Sequence, residues 1–137
     1  PSLGPIRSAL AVALIQTPHR FRSKRQLWTY SGLGLETRDS GEYHYVRGQV
    51  RRCNKQATIR GLNKDYNHDL KGLFKGAATR ASVQPGPFQD FYQRSLAKGI
   101  RPTMVRLTIA RKIAAITLTL WKKGEDFDIN KLNSQAA

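Results

Sequence analysis

The chain is poor in the residues from which redox centres, metal cages and covalent cross-links are built. Its single cysteine, Cys53, excludes an internal disulfide and any cysteine-based zinc cluster, and fits a reducing, cytosolic setting. The three histidines, His19, His44 and His68, are too scattered to suggest a metal site. Acids number nine (Glu36, Asp39, Glu42, Asp65, Asp69, Asp90, Glu125, Asp126 and Asp128). None of them forms the spread-out, strand-borne tetrad that a two-metal site requires, so no metal ligand is expected within this chain. Long apolar runs are missing too. SALAVALI after Arg7 imitates a signal peptide, but it is short, and HRFRSKR follows instead of a cleavage site. IAAITLTLW is too short to span a bilayer and is preceded by Arg111 and Lys112. Met104 is the lone methionine; removal of an initiator before Pro1, or truncation, would explain that.

What the chain has in abundance is positive charge. Lys and Arg total 24 in 137 residues, for a formal net charge of +15 and a pI near 10.7. That excess goes beyond a solubility device and implies a polyanionic partner, nucleic acid ahead of an anionic membrane surface. With 39% hydrophobic residues, a single packed domain is expected rather than disorder. The charge is also uneven. Between Arg20 and Lys64 stand eleven cations and three acids, which concentrates over half of the net charge in about a third of the chain. The plainer alternative is a basic solvated surface on a helical bundle.

Periodicity predicts a mainly α fold. A Leu3-Gly4-Pro5 turn opens a short helix over 1–16 with Ile6, Leu10, Ala13 and Leu14 on one side. Ser23 can cap a second helix, Lys24 to Tyr30, which stops at Ser31-Gly32. From Leu33 to Lys64 the helical signal fails. That stretch reads as an irregular basic insert or a short β-hairpin that includes Tyr43, Tyr45 and Val46. Helix returns near Asp65 with the stripe Leu70, Leu73, Phe74, Ala77, Ala78 and Ala81, while Lys71, Lys75 and Arg80 lie off it. Pro87 starts another helix, carrying Phe88, Phe91, Tyr92 and Leu96. Pro102 starts the last and longest, whose stripe is Ile109, Ile113, Ile116 and Leu120. The helical core is therefore 65–124, within one unit spanning 1–124, and 125–137 is expected to be a flexible tail. Asn63 and Asn67 are expected at the helix start, with contact to phosphate as the alternative.

Nucleic-acid contacts are expected first from the cationic stretch: Arg22, Lys24, Arg25, Arg51, Arg52, Lys55, Arg60 and Lys64. Tyr43, His44 and Tyr45 can stack on bases or pack beneath the insert. At Gly4, a Gly-Pro turn before an apolar helix exposes backbone N–H groups where a phosphate oxygen can sit.

The succession of blocks is more specific than any one of them. LGPIRSALAVALIQTPHRFRSKRQLWTYSGLGLETRDSG precedes a basic loop, then RGLNKDYNHDLKGLFKGAATRAS, then FYQRSLAKGIRPTMVRLTIARKIAAITLTLW. From Pro1 to about Lys123 this order resembles the C-terminal transposase domain of the insertion-sequence one-ten family of bacterial transposases. LGPIRSALAVALI looks like the second half of a helix-hairpin-helix element, with Ser2 where the hairpin usually has its first glycine and without the preceding helix. An N-terminally truncated member is expected on this resemblance.

The resemblance implies DNA transposition by recombination, with a serine nucleophile in the Ser-Gly pair, here Ser40-Gly41. It implies a RuvC-like N-terminal domain that binds divalent metal, Mg in expectation, so that no cofactor is bound by this chain itself. It further implies DNA, a guide RNA from the element and the RuvC-like domain as partners. A homo-oligomer is expected in the active complex, in a bacterial, cytoplasmic, nucleoid-associated setting without membrane contact. Arg38 and Arg47 are the expected phosphate stabilisers beside Ser40, while Asp39, Glu42 and His44 have no defined role. On the residues alone, Asp-Ser-Gly is also ordinary turn chemistry. A non-catalytic nucleic-acid-binding module and an inert remnant are the rival readings, and activity without the remaining domain is not expected.

Overall fold

A computed structural model describes residues 2–38, 43–52 and 58–128. Among them the chain forms α1 (Pro5–Ile15), a single 3-10 turn (Pro18–Arg20) and α2 (Lys24–Tyr30). Four short strands follow, β1 (Leu35–Arg38), β2 (Tyr43–Val46), β3 (Gln49–Arg52) and β4 (Thr58–Leu62). Three helices complete the fold: α3 (His68–Val83), α4 (Pro87–Ala97) and α5 (Pro102–Lys123). The fold is mainly α, with a small hairpin-type insert.

The core lies between α3 and α5. Asn67 caps α3 by accepting from the Leu70 N–H at 3.0 Å, which satisfies one of the orphan donors of the first turn. The expected α3 stripe is buried in full, with Leu70, Phe74, Ala77 and Ala78 wholly inaccessible. On α5, Val105, Ile109, Ala110, Ile113, Ala114 and Leu118 face inward; of the anticipated stripe Ile109 and Ile113 are buried, whereas Ile116 and Leu120 are only half-buried and Leu118 takes the inward place. Alanines on both helices allow close backbone approach, and larger side chains above and below fill the space. α4 seats Phe88 and Tyr92 against this pair, and α2 adds Leu27.

Two local expectations need correction. The apolar side expected for α1 faces outward: Ile6 is 84% exposed and Leu10 42%. Ala11 and Ile15 are buried instead, with Leu14 half-buried beside them. This helix is apolar around most of its circumference, so periodicity cannot choose a face, and packing decides. Arg7 is drawn inward as well, its guanidinium lying where a Cβ on Gly76 would come within 3.3 Å. Ser23 does occupy the N-cap of α2, but its side chain makes no cap bond. Gln26, three residues on, accepts from the N–H of Arg22, the residue before the cap, at 2.6 Å, and so holds the chain entering the helix.

Gly32 joins α2 to the insert. Its φ is +66°, and a Cβ there would lie 2.5–2.9 Å from the Tyr66 ring. Backbone strain and overlap act together. Gly32→Ala is expected to cost about 2–3 kcal/mol, read as a lowered urea midpoint with an unchanged m-value.

Candidate nucleic-acid interface

The insert is clamped where it leaves the helical core. Leu33 is fully buried, and its N–H and that of Gly34 both donate to the Trp28 carbonyl, at 2.7 and 2.9 Å. On the return side, the Asn63 N–H donates to the Gly34 carbonyl at 3.0 Å. The Asn63 amide donates to Thr29 O at 3.1 Å and Asp65 O at 2.7 Å. Asn63 therefore ties the two feet of the insert together, a loop role distinct from the helix-start role of Asn67. From the opposite side, Arg111 on α5 donates through Nε to the Leu33 carbonyl at 2.6 Å. Its own carbonyl accepts from Trp28 Nε1 at 3.0 Å. Nη2 of Arg111 is buried without a partner, and burial pushes the group below the ordinary arginine pKa. The guanidinium stays charged at any physiological pH, so a fixed cation sits at the root of the insert.

Beyond the root the chain forms two antiparallel pairs. β1 pairs with β4 from Leu35↔Leu62 to Arg38↔Thr58. Between Glu36 and Thr37 the register shifts, because Glu36 faces Gly61 and Thr37 faces Ile59. Arg60 is the extra residue of that bulge. β2 and β3 form a tight hairpin whose two-residue turn is Arg47-Gly48, with φ of +51° and +77°. Positive φ at both positions is the type I′ geometry, whose twist matches that of the strands.

Register sorts the hairpin side chains into two faces. Tyr43 opposes Arg52 and Tyr45 opposes Val50, so one face carries two tyrosines, an arginine and a valine. His44 opposes Arg51 and Val46 opposes Gln49 on the other. Both faces are open to solvent: Tyr43 is 64% exposed, Tyr45 78% and Val50 60%. The tyrosines do not pack beneath the insert; both rings stand in solvent. A two-stranded hairpin whose side chains are this exposed is marginal by itself.

The cations anticipated from sequence fall into three groups. Arg47, Arg51 and Arg52 share the β2–β3 hairpin, Arg47 at its tip and Arg52 at the end nearest residue 42. Arg22, Lys24 and Arg25 are exposed around the start of α2, with the Lys24 ammonium 5.7 Å from the Trp28 ring centroid. Lys64 is exposed just past β4. The backbone places Arg38 at the end of β1 and Arg60 in β4. Gly4 is exposed at the N-cap of α1, where no side chain caps the helix and no acid occupies the first turn. Ser40, with Asp39 and Glu42, and Lys55 lie outside the described residues. Arg47 stands the length of β2 away from residue 43, about 13 Å at the usual strand rise; Arg38 adjoins residue 39 in the chain, and Arg52 pairs with Tyr43 next to residue 42.

Sequence reasoning passed over a further set of cations, Lys71 and Lys75 on α3 and Arg106 on α5, which line one cleft. The four-residue spacing of the lysines off the apolar stripe was a visible signal. Their pairing with a residue on another helix was not. Among the described residues no group of three or more His, Cys, Asp or Glu side chains could hold a metal ion. No described helix is long and apolar enough to cross a membrane.

A helical core that projects a clamped, basic and fully solvated β-ribbon is the class of protein these observations define. Residues 1–60 match the family model described as Transposase IS116/IS110/IS902 family. The chain is also 29% identical over 112 residues to the insertion element IS116 uncharacterized 44.8 kDa protein of Streptomyces clavuligerus, a match that covers 82% of this chain and 25% of that relative. The chain is thus similar to the IS116/IS110/IS902 transposase family over its first 60 residues, and it spans about a quarter of the length of the curated relative it matches. No solved structure matches it.

Proposed function

We propose that this chain is the DNA-gripping, nucleophile-bearing part of a transposase. The observation that carries the reading is the β2–β3 hairpin, exposed on both faces and rich in arginine and tyrosine. A two-stranded ribbon is narrow enough to enter a DNA major groove. There the arginines meet phosphates or guanine edges, and contact with DNA completes a hairpin that has no core of its own. The cations around α2 and the open first turn of α1 extend the same surface along the backbone. Gly4 at that turn would be the phosphate-facing residue of a half helix-hairpin-helix.

In this proposal Ser40 attacks a scissile phosphodiester. Its hydroxyl loses a proton to a base as Oγ bonds to phosphorus. The strand oxygen leaves and is protonated, which gives a phosphoserine ester and a free DNA hydroxyl. Attack by a second strand's hydroxyl reverses the sequence, so one ester replaces another and no nucleotide cofactor is consumed. In this reading Arg38 and Arg52 offset charge on the pentavalent phosphorus. Asp39 and Glu42 are the neighbouring candidates to orient the hydroxyl. In this reading the divalent metal, a RuvC-like domain and a guide RNA are supplied by partners of this chain. A homo-oligomer in the cytoplasm, acting at the nucleoid, completes the proposal.

Binding is tested by anisotropy with a labelled DNA duplex across salt concentrations. With about six phosphate contacts, log affinity should fall against log salt with a slope near −5, roughly a thousandfold loss between 50 and 200 mM. Arg47→Gln with Arg51→Gln should flatten the slope by about 2. A slope unchanged in that double variant would remove the hairpin from the interface. The nucleophile is tested by trapping a covalent protein–DNA adduct and comparing Ser40→Ala.

A further inference from the structure

The cleft between α3 and α5 belongs to neither the hairpin nor residues 39–42. It has a volume of about 450 Å³, at the small end of the range for ligand clefts and enough for one nucleotide. Leu62, Met104 and Leu107 give it apolar surface, and Lys71, Lys75 and Arg106 give it charge. Among the described residues no carboxylate lines it, and α5 has no acid in its first turn. The Lys71 ammonium lies 3.9 Å from the Tyr66 ring centroid and the Arg106 guanidinium 5.6 Å from that of Tyr92. Both cations are thus steadied by rings rather than neutralised by acids. Thr103 also lines the cleft. It follows Pro102 in the first turn of α5, where a backbone N–H has no intrahelical acceptor. At the other wall the Thr79 hydroxyl donates to the Lys75 carbonyl at 3.0 Å, leaving its lone pairs to accept.

This combination selects its occupant. A lone phosphate or a duplex backbone would engage the cations and leave the apolar surface empty, because a duplex hides its bases and presents phosphates. A single strand offers both chemistries within one nucleotide: an anionic phosphodiester, and a base or sugar with an apolar face. The cleft is also continuous with the insert. Leu62, which pairs with Leu35 at the root of the β-ribbon, is one of its walls. We propose that the α3–α5 cleft binds a nucleotide of unpaired DNA, with its phosphate on Lys71, Lys75, Arg106 and the Thr103 N–H and its base or sugar against Leu62, Met104 and Leu107. It holds a strand separated from its complement next to the ribbon that grips the duplex. This rests on the reading of the chain as a DNA-binding part of a transposase.

The test compares a labelled fifteen-nucleotide oligothymidylate, an oligouridylate of the same length and a blunt DNA duplex, by anisotropy at fixed salt with the intact chain. Lys75→Gln with Arg106→Gln removes two exposed cations. It should weaken oligothymidylate binding about tenfold and flatten its salt slope by about 1.4, while duplex affinity changes less than about twofold. Met104→Ala should weaken oligothymidylate severalfold at an unchanged slope. Lys75→Gln alone guards against an effect of Arg106 on the Tyr92 contact, and unchanged circular-dichroism melts exclude misfolding. Equal losses for duplex and oligothymidylate, or no loss for either, would overturn the proposal while leaving DNA binding intact. Loss confined to oligouridylate would overturn it in favour of RNA. Failure of the unaltered chain to bind any duplex would instead defeat the parent reading.

Discussion

Ser40→Ala is expected to abolish covalent capture of DNA while duplex affinity stays within about twofold of the unaltered protein. Alanine lacks the only atom that could bond to phosphorus, so the effect on strand exchange should exceed a thousandfold, as for removal of other enzymatic nucleophiles. Binding should survive because arginines and lysines, not the hydroxyl, carry the attraction to phosphate. The measurement uses this chain together with the proposed RuvC-like partner domain, Mg and a cognate element end labelled on one strand. Denaturing electrophoresis then shows label that migrates with protein. Alkali-stable adduct at the unaltered level in Ser40→Ala would sink the nucleophile assignment and leave a non-catalytic binding module. Loss of both adduct and affinity would point instead to a turn-forming role for the Asp-Ser-Gly sequence.

Phe74→Ala is expected to have the largest effect on the fold. Phe74 is wholly inaccessible and is the largest of the fully buried side chains. It sits on α3 among Leu70, Leu73, Ala77 and Ala78, opposite the longest helix. The substitution removes a ring from a site whose walls are two helices and cannot close freely. The expected cost is about 4 kcal/mol. For a chain of this size that lowers Tm by roughly 10–20 °C. Scanning calorimetry or a circular-dichroism melt measures it. A shift of only a few degrees would mean that α3 and α5 are not the core. The same variant should also lose DNA binding on warming, because the insert is rooted on α2 and α5 through Trp28, Leu33 and Arg111.

These two substitutions bracket how the molecule is built. Phe74 serves the platform and Ser40 the proposed chemistry, and the clamped root connects them. The hydrogen bonds at Leu33, Gly34 and Asn63 close the insert as one excursion, so its length and charge can vary without disturbing the helices. A loop that carries this much positive charge would repel itself if folded against the core. Projecting it as a solvated ribbon keeps the cations in high dielectric and available to a polyanion.

The sequence alone determined much of this. Every helix was legible, because strong amphipathic stripes and prolines at helix starts act locally: Pro87 and Pro102 open their helices, and the α3 stripe is buried as read. The position of the basic insert was legible from the failure of helical periodicity, and Tyr43 with Tyr45 and Val46 marked its hairpin. The resemblance of its block order to the transposase family was legible as well. Only the tertiary structure decided which face of α1 turns inward, because a helix apolar on nearly all sides carries no periodic preference. It also decided that Tyr43 and Tyr45 stand in solvent, that Arg47 occupies a turn tip remote from residue 43, and that Asn63 fastens the two feet of the insert. The cleft formed by Lys71, Lys75 and Arg106 was invisible for the same physical reason. Spacing along a chain reports neighbours on one helix, whereas a site between helices depends on how two surfaces meet.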